Sequence, residues 1–479
     1  MNIMSANQQK GASALTPFEY EGTISAGLAK FTSEFGLAST PERVIERAKL
    51  HILDCFGIAL ASTTFDFAQR AANAIRGLGG EGEYPVIGYD MALPVRDQAL
   101  LNGTLIHGLD FDDTHTDGVI HASASAIAAS LAQGLRFNAT GAEVMAAYIL
   151  GVETSARIAQ AANGAFHARG YHPTGLVGIF GATLSAGKLA DLSEKQLQDA
   201  QGVALSQSSG TLEFLSDGAW TKRMHPGWAA SSAITATALA KEGFKAPSET
   251  YEGRYGLFNL YLGEGHGSDL AMCTAGLGQE WELENVGFKP YPACHFNHSF
   301  ADATLALMSQ GMTMDNVESV TAFIHPTQAA VVCEPLEQKR RPQNAYDAQF
   351  SIPYIVATTL KRGHFTLDEL DPEALNDTDA LRVAANVDWQ EDPDTAFPRY
   401  YSGKLEARLK DGRTIEHREA VNRGSDANPL SAGDIESKYW SNATRAVSQR
   451  KAELVYDSVM TMDTAEDVWD LARNLSLAT

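Results

Sequence analysis

Residues 43–61, RVIERAKLHILDCFGIALA, place apolar side chains at i, i+3 and i+4 spacing. That spacing predicts an amphipathic helix with one buried stripe. Just upstream, Ser39-Thr40-Pro41-Glu42 reads as the helix start: a hydroxyl cap, a proline in the first turn, and a glutamate three residues after Ser39. Segments 93–108, 122–136, 141–162, 175–190, 193–207 and 227–242 have the same flavour and are rich in Ala and Gly. Small side chains let helix backbones approach closely, so a compact multi-helix bundle is expected. Loops such as 110–121 and 164–174 would lie at its ends.

The texture changes after about residue 285. VESVTAFIHP (317–326) is β-branched and alternating, and GKLEARLKDGRTIEHREA (403–420) is two alternating runs about Asp411-Gly412, a hairpin signal. Helical patterns at 299–310 and 351–362 are interleaved with them. From Asn428 onward, SAGDIESKYWSNATR and AEDVWDLARNL read as helices that return to the bundle. The expected fold is mainly α: an all-helical bundle domain built from N-terminal and C-terminal segments (22–284 plus 425–479), with a smaller α+β lid domain (285–424). Residues 1–21 read as a flexible N-terminal segment.

A chain of 479 residues suggests more than one domain. Its formal net charge of −22 disfavours nucleic acid and anionic membrane as partners. No apolar run approaches the roughly 20 residues of a membrane span, and the polar N-terminus lacks the apolar core of a secretory signal. Four cysteines without a CxxC pair argue against structural zinc, a disulfide framework or an iron–sulfur cluster. A reduced, cytoplasmic protein is the expectation. If the substrate is an acid, cations must be concentrated in its pocket.

Four stretches carry chemistry. HGLDFDDTHTDGVIH (107–121) packs His107, Asp110, Asp112, Asp113, His115, Asp117 and His121 into one loop. It reads either as a magnesium–diphosphate site, which needs a second acidic motif not found here, or as metal-free acid–base chemistry with Asp110, Thr114 and His121 in a cleft. Asp112 or Asp113 would then be a capping residue. AFHARGYHPTG (165–175) sets His167 and His172 before a helix start, where backbone N–H groups face anions. DGAWTKRMHPGWAA (217–230) supplies Lys222, Arg223 and His225, the local cations, in a loop followed by a helix. FKPYPACHFNHSFADA (288–303) carries Cys294, His295 and His298, with a zinc pair or a Cys294 nucleophile as weaker readings. RRPQNAYDAQFSIPY (340–354) adds Arg340, Arg341 and Tyr354.

In this order, the stretches H-x-x-DFDDT, YHPT-x-x-x-G, TKRMH-x-G-x-A and YP-x-C-x-x-NH resemble the MmgE/PrpD family over nearly the whole chain, from about 24 to 475. The family includes 2-methylcitrate dehydratase, cis-aconitate decarboxylase and iminodisuccinate epimerase. The resemblance implies a helical main domain, an α+β lid, homodimers, and proton transfer beside a carboxylate of a small di- or tricarboxylate, without metal or other cofactor. By motif it implies Asp110, His121, His172, Lys222 and His298 as catalytic residues. It also implies Thr114 and His225 as substrate-binding positions, and Tyr354 less securely.

We also place His167, Arg223 and His295 among the substrate-binding residues. Lys222, Arg223 or His225 would hold carboxylates, with His172 or Lys222 as base and His121 or His298 as acid. Asp110 would orient or charge-balance one of them. Family analogy favours a hydro-lyase, with an epimerase, a decarboxylase or a non-catalytic binding protein as alternatives.

Overall fold

The helix read from residues 43–61 forms over Glu42–Ser62 in a computed structural model that describes residues 18–216 and 218–477. Pro41, not Ser39, occupies its N-cap, and no side chain caps it. Ser39 has spent its hydroxyl locally, donating to the Gly36 carbonyl at 2.8 Å in a short 3-10 turn. Helices make up 57% and strands 9%, so the chain is mainly α. Of the N-terminal segment expected to be flexible, residues 1–17 lie outside the described residues. Phe18 packs edge-on against Phe31.

The bundle helices form where their periodicity predicts: Val95–Ile106, Ser123–Phe137, Gly141–Ala161, Gly178–Leu189 and Glu194–Leu205. Thr140 and Ser193 start two of them with reciprocal capping boxes. The C-terminal helix Ala432–Ala446 returns to Glu42–Ser62. There a Cβ on Gly57 would lie 3.0 Å from the Tyr439 ring, and Lys438 Nζ reaches Asp54 Oδ2 at 2.8 Å.

One expected helix starts early. The stretch TKRMHPGWAA is not loop followed by helix; the helix runs Thr221–Lys241 with Pro226 inside. Pro226 brings no N–H, so the Lys222 carbonyl loses its usual helical partner. Gly227 lets this helix cross Val95–Ile106 at backbone contact. A Cβ on Gly227 would lie 2.1 Å from the Leu100 carbonyl oxygen, and one on Gly103 would lie 2.6 Å from Gly227 Cα. The crossing brings His107, at the end of one helix, beside the first turns of the other.

A second core surrounds a four-stranded sheet of order Val387–Glu391, Val317–Ile324, Gly403–Leu409, Thr414–Glu419. The hairpin read about Asp411-Gly412 is present, with Arg408 opposite Thr414 and Gly412 at φ 88°. The edge strand Val387–Glu391 pairs parallel to Val317–Ile324 and was not expected. Its residues are mostly exposed, so they carry little apolar pattern. Helices His298–Ser309 and Ile352–Arg362 bury Phe300, Leu307, Ile352 and Val356 in this core. Among the described residues no single helix is long and apolar enough to cross a membrane.

Candidate active site

The loop 107–122 is held from several sides. Thr114–His115 pairs antiparallel with Val286–Gly287, where the chain enters the second unit. His115 Nε2 meets Glu282 Oε2 at 2.9 Å, and Glu282 also pairs with Arg157 at 2.9 Å. His107 Nδ1 meets Asp112 Oδ2 at 2.7 Å. Asp113 accepts from the Ser123 hydroxyl and stands 3.2 Å from His51 Nδ1. Asp112 therefore braces the loop from within, while Asp113 also accepts from the Ser123 backbone N–H at 3.4 Å, at the start of Ser123–Phe137, as a capping acid would. Asp110 sits in the left-handed region at φ 52°, which aspartate tolerates better than most residues.

Asp110 is the centre of the arrangement. Its Oδ1 accepts from Lys222 Nζ at 2.6 Å and from Lys289 Nζ at 2.8 Å. Lys289 also donates to the Asp110 backbone carbonyl at 2.8 Å. Burial alone would raise the Asp110 pKa; the two ammonium groups outweigh it and hold the carboxyl well below its usual range. Both ammonium groups are thereby held near His121, with Asp112 Oδ1 3.8 Å from the Nδ1 of the same ring.

His121 Nε2 lies 4.0 Å from Asp110 Oδ1. Its Nδ1 donates to the Asp113 carbonyl at 2.6 Å, with Thr114 Oγ1 3.4 Å away. That bond fixes the neutral tautomer and leaves Nε2 as the nitrogen able to take a proton. The His121 ring is 4.8 Å from that of His107 and 6.2 Å from that of His172. His172 caps the four-residue helix Pro173–Leu176, and its Nδ1 lies 2.9 Å from His225 Nδ1. One of that pair must donate, so they cannot both be imidazolium.

Burial, then neighbouring cations, push these imidazoles down: His121 to about 3, His225 to about 4, and His107 and His172 well below normal. Burial raises Asp112 to about 6, with His121 and Lys289 pulling the other way. A ring nitrogen from each of His107, His121 and His172 lies within 4.8 Å of the others, as do ligand atoms of Asp110, Asp112 and His121. In the second group, both ammonium groups already engage Asp110.

The other expected residues lie at varying distance from this centre. His298 is fully buried and its Nε2 donates to the Ala293 carbonyl at 3.1 Å. Burial, then Lys289, lowers it to about 3. His295, 4.6 Å from it between ring centroids, is bound to Asn422 at 3.0 Å. His167 is exposed on Ala165–Ala168, with Lys222 in electrostatic reach. The Arg223 guanidinium lies 4.3 Å over the Phe67 ring and also faces Trp220 and Tyr346. Tyr354 turns elsewhere, its hydroxyl donating to the Glu369 carbonyl at 2.7 Å. Burial raises the Cys294 thiol to about 11, so it is a poor nucleophile.

Three contributors escaped the sequence reading. Lys289 lies in the quoted FKPYP run; a lysine among prolines and aromatics in a chain with 37 basic residues is the available signal. Tyr346, on the short helix Ala345–Gln349, lies within electrostatic reach of Asp110. Burial and then the Asp110 charge raise its pKa, and its buried hydroxyl has no partner among the described residues. Gln349 ties the two units together, donating to the Leu109 carbonyl at 2.7 Å and the Pro292 carbonyl at 3.0 Å.

The MmgE/PrpD N-terminal domain model matches residues 26–267, and the MmgE/PrpD C-terminal domain model matches residues 291–462. The chain belongs to the MmgE/PrpD family. Among its relatives, the cis-aconitate decarboxylase-like protein oryM of Aspergillus oryzae is 24% identical over 95% of this chain and 98% of its own. The cis-aconitate decarboxylase of Homo sapiens is 26% identical over 89% of each chain. That of Aspergillus terreus is 24% identical over 95% of this chain and 96% of its own.

Proposed function

We propose that this member of the family is a lyase acting on a small di- or tricarboxylate, by moving a proton at carbon next to a carboxylate. The observation that carries the reading is the convergence of Lys222 and Lys289 on Asp110 beside His121. Carbanion character next to a carboxylate needs fixed positive charge and hydrogen-bond donors aimed at the carboxylate oxygens. Here the two ammonium groups are buried and pre-positioned, where they act more strongly than in water.

Substrate carboxylates are drawn to the two ammonium groups. Burial depresses His121 and His172 most, and the Lys222 charge adds to it; a bound polyanion counteracts that charge and so raises their pKa values. Either imidazole can then exchange a proton with substrate carbon. The names of the relatives favour decarboxylation of a cis-aconitate-like acid. In that reaction the C–C bond to one carboxylate breaks and CO₂ leaves. The electron pair shifts through the double bond, and a proton from His121 or His172 adds to carbon. The hydro-lyase expected by family analogy uses the same groups but expels a β-hydroxyl after proton removal. Epimerisation returns the proton to the opposite face.

The homodimer implied by the resemblance has a fitting surface. Trp220, Met224, Trp228 and Leu239 form an exposed apolar stripe on the helix that carries Lys222, and we assign it to a second copy of the chain. The function is tested by NMR in D₂O with citrate-like, aconitate-like and aminodicarboxylate acids. Release of CO₂ or water names the lyase. Deuterium uptake with inversion and no elimination would replace it by an epimerase, and no reaction with any acid would overturn the reading.

A further inference from the structure

We propose that the imidazole cluster binds one zinc ion through His107, His121 and His172, and that the bound ion silences proton transfer. The binding claim stands on geometry alone; only the silencing claim rests on the function proposed above. A ring nitrogen of each histidine lies within 4.8 Å of the other two. Tetrahedral zinc with Zn–N of about 2.0–2.1 Å holds its nitrogens about 3.3 Å apart, so the rings need to close by at most about 1.5 Å.

The other nitrogen of each ring is already engaged. His107 Nδ1 is held by Asp112 at 2.7 Å, His121 Nδ1 by the Asp113 carbonyl at 2.6 Å, and His172 Nδ1 by His225 at 2.9 Å. Such outer partners fix ring orientation and raise ligand basicity. Each ring is thereby left with Nε2 to offer. In His107, which is 1% exposed, that atom is buried and has no partner among the described residues.

One further feature suits a cation: Asp112 stands behind His107, 2.7 Å from its Nδ1. Three histidines leave a fourth position for water or a substrate carboxylate. With the three Nε2 lone pairs on the metal, His121 and His172 cannot accept or deliver a proton.

The test uses the full chain, dialysed against a chelator. Zinc is titrated by calorimetry, and cobalt(II) by visible absorption. One zinc per chain is expected, with a tetrahedral cobalt spectrum free of thiolate charge transfer and a raised Tm. The variant H107Q,H121Q,H172Q should lose the site. If it does not fold, D112N keeps all three ligands and should bind zinc about 10–100-fold more weakly. Absence of a saturable site, a thiolate spectrum, or affinity unchanged in the variants would overturn the assignment. Turnover should fall with zinc occupancy and return with chelator; full activity at saturating zinc would overturn the silencing. If no acid is turned over, the functional reading fails, yet the titration still decides the site.

Discussion

Lys222 Nζ and Asp110 Oδ1 are 2.6 Å apart, and Lys289 reaches the same oxygen from the segment that enters the sheet unit. The carboxylate thus has two jobs: it keeps two buried ammonium groups tolerable, and it aims them at a common space. The Asp110→Ala variant should lose about 3–5 kcal/mol of stability, because removing one partner leaves buried charge uncompensated. Urea denaturation would show it. A loss near zero would mean that the lysines find other partners at no cost.

Stability should fall as pH drops from about 6.5 toward 4, starting from the unfolded histidine pKa. His51 and His225 are lowered to about 4, and His121 and His298 to about 3. His107, His172 and His295 are also lowered well below the usual histidine value. Burial is the first cause for each. Between the folded and unfolded values the unfolded chain binds more protons, so acid favours unfolding. Asp54 and Asp112, raised to about 6, and Glu153, raised to about 7, oppose this, because the folded chain keeps their protons longer. With His167 also lowered and Asp302 also raised, eight imidazoles outweigh four acids. Urea midpoints at pH 5 and pH 7.5 test the sign, and the H121Q and H225Q variants should flatten the slope.

Cys294 lies near the site without a role in it. With its thiol raised to about 11 by burial and then by Asp110, C294S should retain wild-type kcat, and alkylation at neutral pH should be slow. A large loss of kcat in C294S would restore the nucleophile reading.

The apolar stripe on Thr221–Lys241 predicts assembly. Light scattering should give a dimer for the wild type and a monomer for W228E, with the helical circular dichroism unchanged. A dimer that survives W228E would place the interface elsewhere.

Much of this was legible in the sequence, for physical reasons that differ by element. The bundle helices announce themselves through periodicity, as in RVIERAKLHILDCFGIALA. The hairpin does so through Asp411-Gly412. Asp110, His121 and His172 stand in quotable motifs, because loop residues carry little packing signal that would hide them, and Lys222 stands in one at the first turn of its helix. The start of Thr221–Lys241 was missed because Pro226 reads as a break, although a helix interior tolerates it when a close crossing at Gly227 holds the backbone. Ser39 was misread as a cap because its local bond to Gly36 is invisible in one dimension. Lys289, Tyr346 and Gln349 gain meaning only from what the fold brings to them. Tyr354 spends its hydroxyl on the Glu369 carbonyl, while Tyr346, eight residues earlier, faces Arg223.

The central claim is that buried cations and imidazoles around Asp110 transfer protons on a small polycarboxylate. It is tested most directly by the turnover of K222A and H172A on whichever acid of the panel the wild type consumes, with thermal melts as the check on folding. The account predicts a loss in kcat of about 10²-fold or more in each, the scale of removing one preorganised group, with melting curves close to wild type. A folded K222A or H172A protein that turns over at nearly the wild-type rate would contradict it.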